Sequence, residues 1–121
     1  MVRIKRVYDP PDRSDGVRIL VDRLWPRGLA KDAARLDAWR KDVAPSDALR
    51  QWFDRDPRKW DEFRARYRAE LDAAGKTGEL KILGRRAKRE TVTLLHAARD
   101  AAHNNAVALK EIVEDLRRQA A

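Results

Sequence analysis

The chain has 121 residues, of which 43% are hydrophobic, and it contains no cysteine. This length suits one domain with one hydrophobic core, so we predict a single domain over residues 1–121. The lack of cysteine excludes disulfide bonds, thiolate metal ligands and thiol nucleophiles. No apolar run approaches the roughly 18 residues of a membrane-spanning helix, and the first residues lack the apolar segment of a secretory signal. We therefore expect a soluble, cytoplasmic protein without a membrane partner.

The net charge is +8, with 28 Lys and Arg against 20 Asp and Glu. Such a balance is typical of nucleic-acid-binding proteins. However, the basic excess is spread over both halves of the chain. We interpret most of it as a solvated surface and expect weak nucleic-acid binding or none. The one concentrated segment, without an acidic residue, contains Lys81, Arg85, Arg86, Lys88 and Arg89.

The N-terminal part of the chain predicts two strands. Apolar and charged residues alternate with a period of two over residues 2–8, and Asp9-Pro10-Pro11 ends this pattern. A second, β-branched run covers residues 17–25 and places Arg23 on its apolar face. The connection between the two runs is too short for a crossover helix. The strands therefore form an antiparallel hairpin or lie apart in the sheet.

Helical signals dominate the middle of the chain. Residues 31–36 predict a short helix, and residues 38–44 predict a short strand or an extended segment before Pro45. Ser46 is a favourable N-cap for the next helix, and Asp56-Pro57 predicts the start of another. One face of that helix is predicted to be buried through residues spaced three or four apart, namely Trp60, Phe63, Tyr67 and Leu71.

The last third of the chain predicts a short basic helix, a strand and a final helix. Residues 91–96 are apolar on both faces, as in a central strand. Asp100 or Asn104 is expected to cap the final helix, and Ala102 is expected on its core face. These elements predict an α/β fold, with a small mixed or parallel sheet flanked by helices in one layered domain. Its predicted core contains Ile19, Val21, Phe63, Val92, Leu94, Leu109 and Val113.

Two arginines, Arg23 and Arg27, flank the Leu-Trp-Pro segment after the second predicted strand. Ligands of open α/β sheets bind beyond the carboxyl ends of the strands, and an arginine fork binds carboxylate or phosphate. The alternative interpretation is a structural ion pair. An arginine on an apolar strand face would need a buried partner. Asp9 and Asp100, at the ends of predicted strands, are the candidate carboxylates.

A second polar patch lies where the last strand meets the last helix. Free N–H groups at a helix N-terminus favour anions, and Asn105 would add a side-chain amide to the same pocket. Capping alone explains Asn104. If the protein has a reaction, Asp9 or Asp100 would orient a hydroxyl or a water. We therefore predict a site for a small phosphate- or carboxylate-bearing molecule, formed by Arg23, Arg27, Asp9, Asp100 and Asn105.

No metal or cofactor site is predicted. His96, Asp100 and His103 have a spacing that would place them on one face of a helix, as zinc ligands require. However, His96 falls at the end of a predicted strand, which removes that geometry. The sequence has no P-loop, dinucleotide-binding glycine motif or serine-hydrolase elbow. It leaves the oligomeric state and any catalytic activity open.

Several segments form a pattern that can be compared with known families. The most specific are Asp22-Arg-Leu-Trp-Pro-Arg-Gly28 and Ala44-Pro-Ser46. With Leu49-Arg-x-Trp-Phe53, the aromatic run up to Leu71, Thr93-Leu-Leu95 and Asn104-Asn-Ala106, they resemble the YeaO-like family, domain of unknown function 488, over nearly the whole chain. The resemblance implies a compact α/β domain and no established reaction. Arg55 stands where the family often has histidine. A weak nucleic-acid-binding or regulatory role is the alternative function.

Overall fold

The computed structural model describes residues 1–119, in which four parallel strands form one sheet in the order β1-β4-β2-β3. The strands are β1 (Val2–Arg6), β2 (Val17–Leu20), β3 (Ala38–Trp39) and β4 (Val92–His96). The helices are α1 (Lys31–Ala34), α2 (Asp47–Phe53), α3 (Trp60–Ala73), α4 (Thr77–Arg89) and α5 (Asn105–Gln119). The predicted α/β fold is confirmed, and the sheet is parallel rather than mixed.

Strand β4 lies between β1 and β2, so these two strands do not form a hairpin. Leu94 pairs with Ile4 on one side and with Ile19 on the other. All five residues of β4 are buried, which follows from its apolar character on both faces. Of the two arrangements that the sequence left open, the strands lie apart in the sheet.

Strand β2 ends at Leu20, five residues before the predicted end. Val21 N–H still donates to Leu95 O at 3.1 Å, but Asp22 O accepts from the Trp39 indole at 2.7 Å, so the chain turns away from the sheet. Arg23 therefore lies beyond the strand, with 40% of its side chain exposed. The prediction that Arg23 lies on a buried apolar face was wrong, because the alternating pattern continues through a loop.

The main hydrophobic core lies between the sheet and helices α2 to α5. Gly84 of α4 allows close approach to α5, because a Cβ at this position would lie 3.3 Å from Val113 O. In residues 1–119, no helix combines the length and the apolar character needed to cross a membrane. Every predicted core residue is buried, namely Ile19, Val21, Phe63, Val92, Leu94, Leu109 and Val113.

Polar caps set the starts of two helices. Ser46 Oγ accepts from Leu49 N–H at 3.1 Å and begins α2, as predicted. Asn104 Oδ1 accepts from Val107 N–H at 3.0 Å and begins α5. Because α5 is capped by Asn104 rather than by Asp100, Ala102 precedes the helix and is exposed. Its predicted place on the core face was wrong.

The second face of the sheet carries a buried ion pair between Asp15 and Arg18, each 4% exposed. Lys5 Nζ lies 3.1 Å from the same carboxylate, and Arg18 Nη2 donates to Ala34 O at 2.8 Å. Thr93 Oγ1 donates to Asp15 O at 2.6 Å. Burial favours a raised Asp15 pKa, but hydrogen bonds from Asp12 N–H, Lys5 and Arg18 outweigh it and hold that pKa below its usual value.

Replacing Asp15 by alanine should strongly destabilise the protein. The substitution leaves the Arg18 guanidinium buried without its carboxylate, which costs about 3–5 kcal/mol. The Asp15 contribution should be full above the ordinary aspartate pKa of 3.8 and be lost as the pH falls through the lower folded value. Urea unfolding at pH 7 and pH 3 measures both effects.

The matched control is Glu62→Ala, which breaks an exposed pair with Arg66 at 3.3 Å. Exposed pairs contribute about 0.2–1 kcal/mol, so this variant should unfold close to the wild-type midpoint. Equal losses in the two variants at pH 7 would contradict a special role for the buried pair.

Candidate functional site

The carboxyl ends of the parallel strands form one edge of the sheet, where the segments after β1, β2 and β4 meet. Val7 N–H donates to His96 O at 2.8 Å, which joins the segment after β1 to the end of β4. Arg6 Nε donates to Ala97 O at 3.3 Å, and Ala97 N–H donates to an Asp22 carboxylate oxygen at 2.9 Å. Polar side chains from three strand ends therefore converge, as the topology of a parallel sheet requires.

Asp22 is half-buried and connects this edge to helix α5. The Asn105 side-chain amide donates to Asp22 Oδ1 at 3.0 Å and to Val21 O at 2.9 Å. Burial raises the pKa of Asp22, and hydrogen bonds from Ala97 N–H and Asn105 oppose part of that rise. Asn105 thus lies at the predicted edge, but its side-chain amide already donates to Val21 and Asp22. Its role is to hold the Asp22 carboxylate in place.

His96 is buried at the end of β4, with 4% exposure. In the part of the chain that the structure describes, its Nδ1 is buried and has no hydrogen-bond partner. Burial lowers the pKa of His96, and the charges of Asp22, Arg6 and Asp9 also act on the ring. The predicted site residue Asp9 lies at the same edge, because its N–H donates to Arg6 O at 3.0 Å directly after β1. An orphaned ring nitrogen is a group that a ligand atom could satisfy.

Tyr8 follows β1 at this edge and contacts Arg27 through the Arg27 backbone and Arg6 through the Arg6 side chain. Tyr8 Oη donates to Arg27 O at 2.7 Å, and the Arg6 guanidinium lies 4.8 Å from the centre of the Tyr8 ring. Over residues 1–119, no carboxylate oxygen lies within 4 Å of a nitrogen of either guanidinium. Both arginines that contact Tyr8 therefore lack a direct carboxylate partner in the described residues.

Arg23 points to a different part of the surface. Its Nε donates to Pro45 O at 3.3 Å and lies 3.8 Å from Asp47 Oδ1. It lines a cleft of about 250 Å³ together with Ser46 and Glu70. The predicted partners Asp9 and Asp100 do not contact it, because β2 ends before this position.

Asp100 shapes the loop before α5. Its Oδ1 accepts from the N–H groups of Ala102 and His103, and its Oδ2 lies 3.0 Å from His103 Nδ1. The hydrogen bonds from Ala102 N–H and the His103 ring lower the pKa of Asp100. His103 packs edge-on against Trp60, whereas His96 lies inside the sheet. Within residues 1–119, no group of three potential ligand side chains is arranged to hold a metal.

Sequence reasoning missed three residues of this edge, namely Arg6, Asp22 and His96. Arg6 was only one member of an alternating strand pattern, and His96 was considered only as a metal ligand. Asp22 had a usable signal, because it opens the motif that contains Arg23 and Arg27. Its contacts with Ala97 and Asn105 join positions more than 70 residues apart, and no local pattern predicts them.

Replacing Asn105 by aspartate should destabilise the protein at neutral pH. The variant removes the amide that donates to Asp22 and places a second carboxylate beside it, about 3 Å away. We expect a loss of about 1–3 kcal/mol at pH 7.5 and partial recovery at pH 4.5, where one carboxyl group takes up a proton and can donate to the other. Thermal unfolding at both pH values measures this change.

The exposed substitution Gln51→Glu makes the same amide-to-acid change and is the control. It should shift the melting temperature little at either pH. An Asn105→Asp variant that is as stable as wild type at pH 7.5 would contradict the placement of Asn105 against Asp22.

The fold defines a small α/β protein with an all-parallel sheet, and comparisons with known proteins specify its family. A family model described as the inactive DUF488-N3 subclade matches residues 1–121. Uncharacterised protein Rv3073c of Mycobacterium tuberculosis is 43% identical over 112 residues, covering 93% of this chain and 92% of the relative. Uncharacterised protein YeaO of Escherichia coli is 43% identical over 115 residues, covering 95% and 98%. No solved structure gives a significant match.

The chain therefore belongs to the YeaO-like DUF488 family, in the subclade described as inactive DUF488-N3. This confirms the resemblance seen in the sequence motifs. Neither the family model nor these relatives carry the name of a reaction or a ligand.

Proposed function

We propose that this protein binds a small anionic ligand, carrying a phosphate or carboxylate group, at the carboxyl edge of its sheet. The observation that carries the proposal is the pair Arg6 and Arg27, which lack a carboxylate within 4 Å among residues 1–119 and lie at the edge that contains His96. Guanidinium groups without a carboxylate partner offer the planar donor pairs that such anions bind.

The side chains around this edge have different roles in the proposal. Arg6 and Arg27 bind the anion, and the orphaned His96 Nδ1 provides one further polar contact. Asn105 does not touch the ligand but holds Asp22. Because burial already raises the pKa of Asp22, a bound anion nearby would raise it further. Binding should therefore weaken as the pH rises through the Asp22 pKa.

The other residues of the predicted site, Arg23, Asp9 and Asp100, would not bind the anionic group directly. Arg23 would contribute long-range attraction from the neighbouring cleft, and Asp9 would orient a hydroxyl group of the ligand or a water. Asp100 would set the shape of the loop through its bonds to Ala102 and His103. The description of the subclade as inactive supports binding rather than catalysis, and we propose no reaction. A soluble metabolite of this kind fits a cytoplasmic location, which is part of the proposal.

Inorganic phosphate and sulfate should raise the melting temperature of the wild-type protein above its value in sodium chloride of equal ionic strength. A ligand present at about 100 times its Kd adds about 2.7 kcal/mol to the stability of the folded state. The increase should shrink in Arg27→Lys and Arg6→Lys, because lysine keeps the charge but lacks the guanidinium fork. A thermal scan against phosphorylated and carboxylated metabolites would then identify the preferred ligand class.

Arg66→Lys on helix α3 is the matched control. Phosphate and sulfate should raise its melting temperature as much as they raise that of wild type. An equal increase in all variants would indicate general salt stabilisation and contradict the site. No increase from any anion would also contradict it. A loss confined to Arg23→Ala would move the ligand to the cleft beside Ser46 and Glu70.

A further inference from the structure

Helix α4 presents a basic face that is separate from the proposed ligand site. Its apolar side, formed by Leu80, Gly84 and Ala87, is buried. The opposite side and one flank carry four cations within nine residues, Lys81, Arg85, Lys88 and Arg89. We call these four residues the α4 basic face. At 1.5 Å of rise per residue, they extend over about 12 Å of helix.

The cations of the α4 basic face lack ion-pair partners, unlike the arginines of helix α3. Over residues 1–119, no carboxylate oxygen lies within 4 Å of any of the four. By contrast, Arg86 pairs with Glu90 at 3.1 Å on the same helix. On α3, the arginines all pair with acidic side chains, Arg64 with Asp61 and Glu111, Arg66 with Glu62, and Arg68 with Asp115.

Local helix energetics explain only part of this arrangement. Lys88 and Arg89 lie in the last turn of α4, where the helix dipole stabilises positive charge. Lys81 and Arg85 lie in the middle of the helix, where the dipole gives no such benefit. Like charges four residues apart, as in Arg85 and Arg89, repel each other by a few tenths of a kcal/mol. Unpaired, mutually repelling cations in one line indicate a surface that is complementary to an external polyanion.

We propose that the α4 basic face binds the phosphate backbone of nucleic acid without sequence preference. A row of cations along one helix matches a partner whose negative charges repeat regularly along its length. A membrane surface fits less well, because an interfacial helix needs an exposed apolar face. The apolar side of α4 is buried, and Ile82 is its one strongly exposed large hydrophobic residue.

This surface and the ligand site are distinct in the fold. Helix α4 ends at Arg89 and leads directly into the start of β4, so the basic face ends at the amino edge of the sheet. The proposed ligand site lies at the carboxyl edge, around Arg6 and His96. Loss of one activity should therefore leave the other intact, and the two proposals can fail separately.

The test is fluorescence anisotropy of a labelled 24-base-pair DNA duplex with the full chain at several salt concentrations. Four phosphate contacts predict a slope of about −3.6 in log K against log salt, so affinity should fall about 150-fold between 50 and 200 mM salt. A second duplex of scrambled sequence should bind equally. The quadruple variant with Lys81, Arg85, Lys88 and Arg89 changed to glutamine should bind at least about tenfold more weakly at 50 mM salt, with a slope near zero.

The matched control neutralises four arginines outside the basic face, namely Arg58, Arg64, Arg66 and Arg68, also to glutamine. It removes the same net charge and should retain the wild-type slope to within about one contact. Circular dichroism checks that each variant is folded. If a quadruple variant does not fold, the single variant Arg85→Gln replaces it, and its slope should differ from that of wild type by about 0.9. The proposal is overturned if wild type fails to bind at 50 mM salt, if both quadruple variants lose binding equally, or if Arg85→Gln leaves the slope unchanged. Binding to phosphatidylserine vesicles but not to the duplex would also overturn it.

Discussion

The buried ion pair between Asp15 and Arg18 holds together the segments that cover the face of the sheet away from the main helices. It connects the turn before β2, the strand β2 itself and the carbonyl groups at the end of α1. Lys5 of β1 binds the same carboxylate, and Thr93 of β4 donates to the Asp15 backbone carbonyl, so three neighbouring strands are fixed to one residue. Charged groups in such a position require complete pairing.

Because the ion pair fixes the strands relative to one another, the carboxyl ends of β1, β2 and β4 have defined positions at the carboxyl edge of the sheet. There the pairing is incomplete, because His96 Nδ1 has no hydrogen-bond partner and Arg6 and Arg27 have no carboxylate partner in the described residues, while Asp22 is held by Ala97 and Asn105. Satisfied polar groups stabilise a fold, and unsatisfied ones at a strand edge are typical of sites that meet a ligand. The anion binding that we propose depends on this contrast between the two ends of the sheet.

Local patterns predicted most of the elements and the whole proposed core, because burial repeats with the period of each element. The central place of β4 followed from its apolar faces, and the Ser46 cap followed from its side-chain chemistry. The end of β2 was mispredicted because a hydrogen bond from Trp39 turns the chain at Asp22. The same error displaced Arg23 from the predicted site. Asp22, His96 and Arg6 become neighbours only after three strands have assembled. Local sequence patterns carry no information about such long-range contacts, so they could not predict this arrangement.

The order of strands in the sheet also constrains how the chain folds. Strands β1 and β2 are separated by β4, which begins at Val92, so neither can complete its pairing until the last third of the chain is available. Closing such long loops is an entropic barrier that slows folding. During synthesis, β1 and β2 have unpaired edges until β4 is made. Unpaired strand edges can form hydrogen bonds with other chains and so promote aggregation. The charged side chains Arg3, Lys5 and Arg18, which alternate with apolar residues on these strands, oppose that association while β4 is still absent.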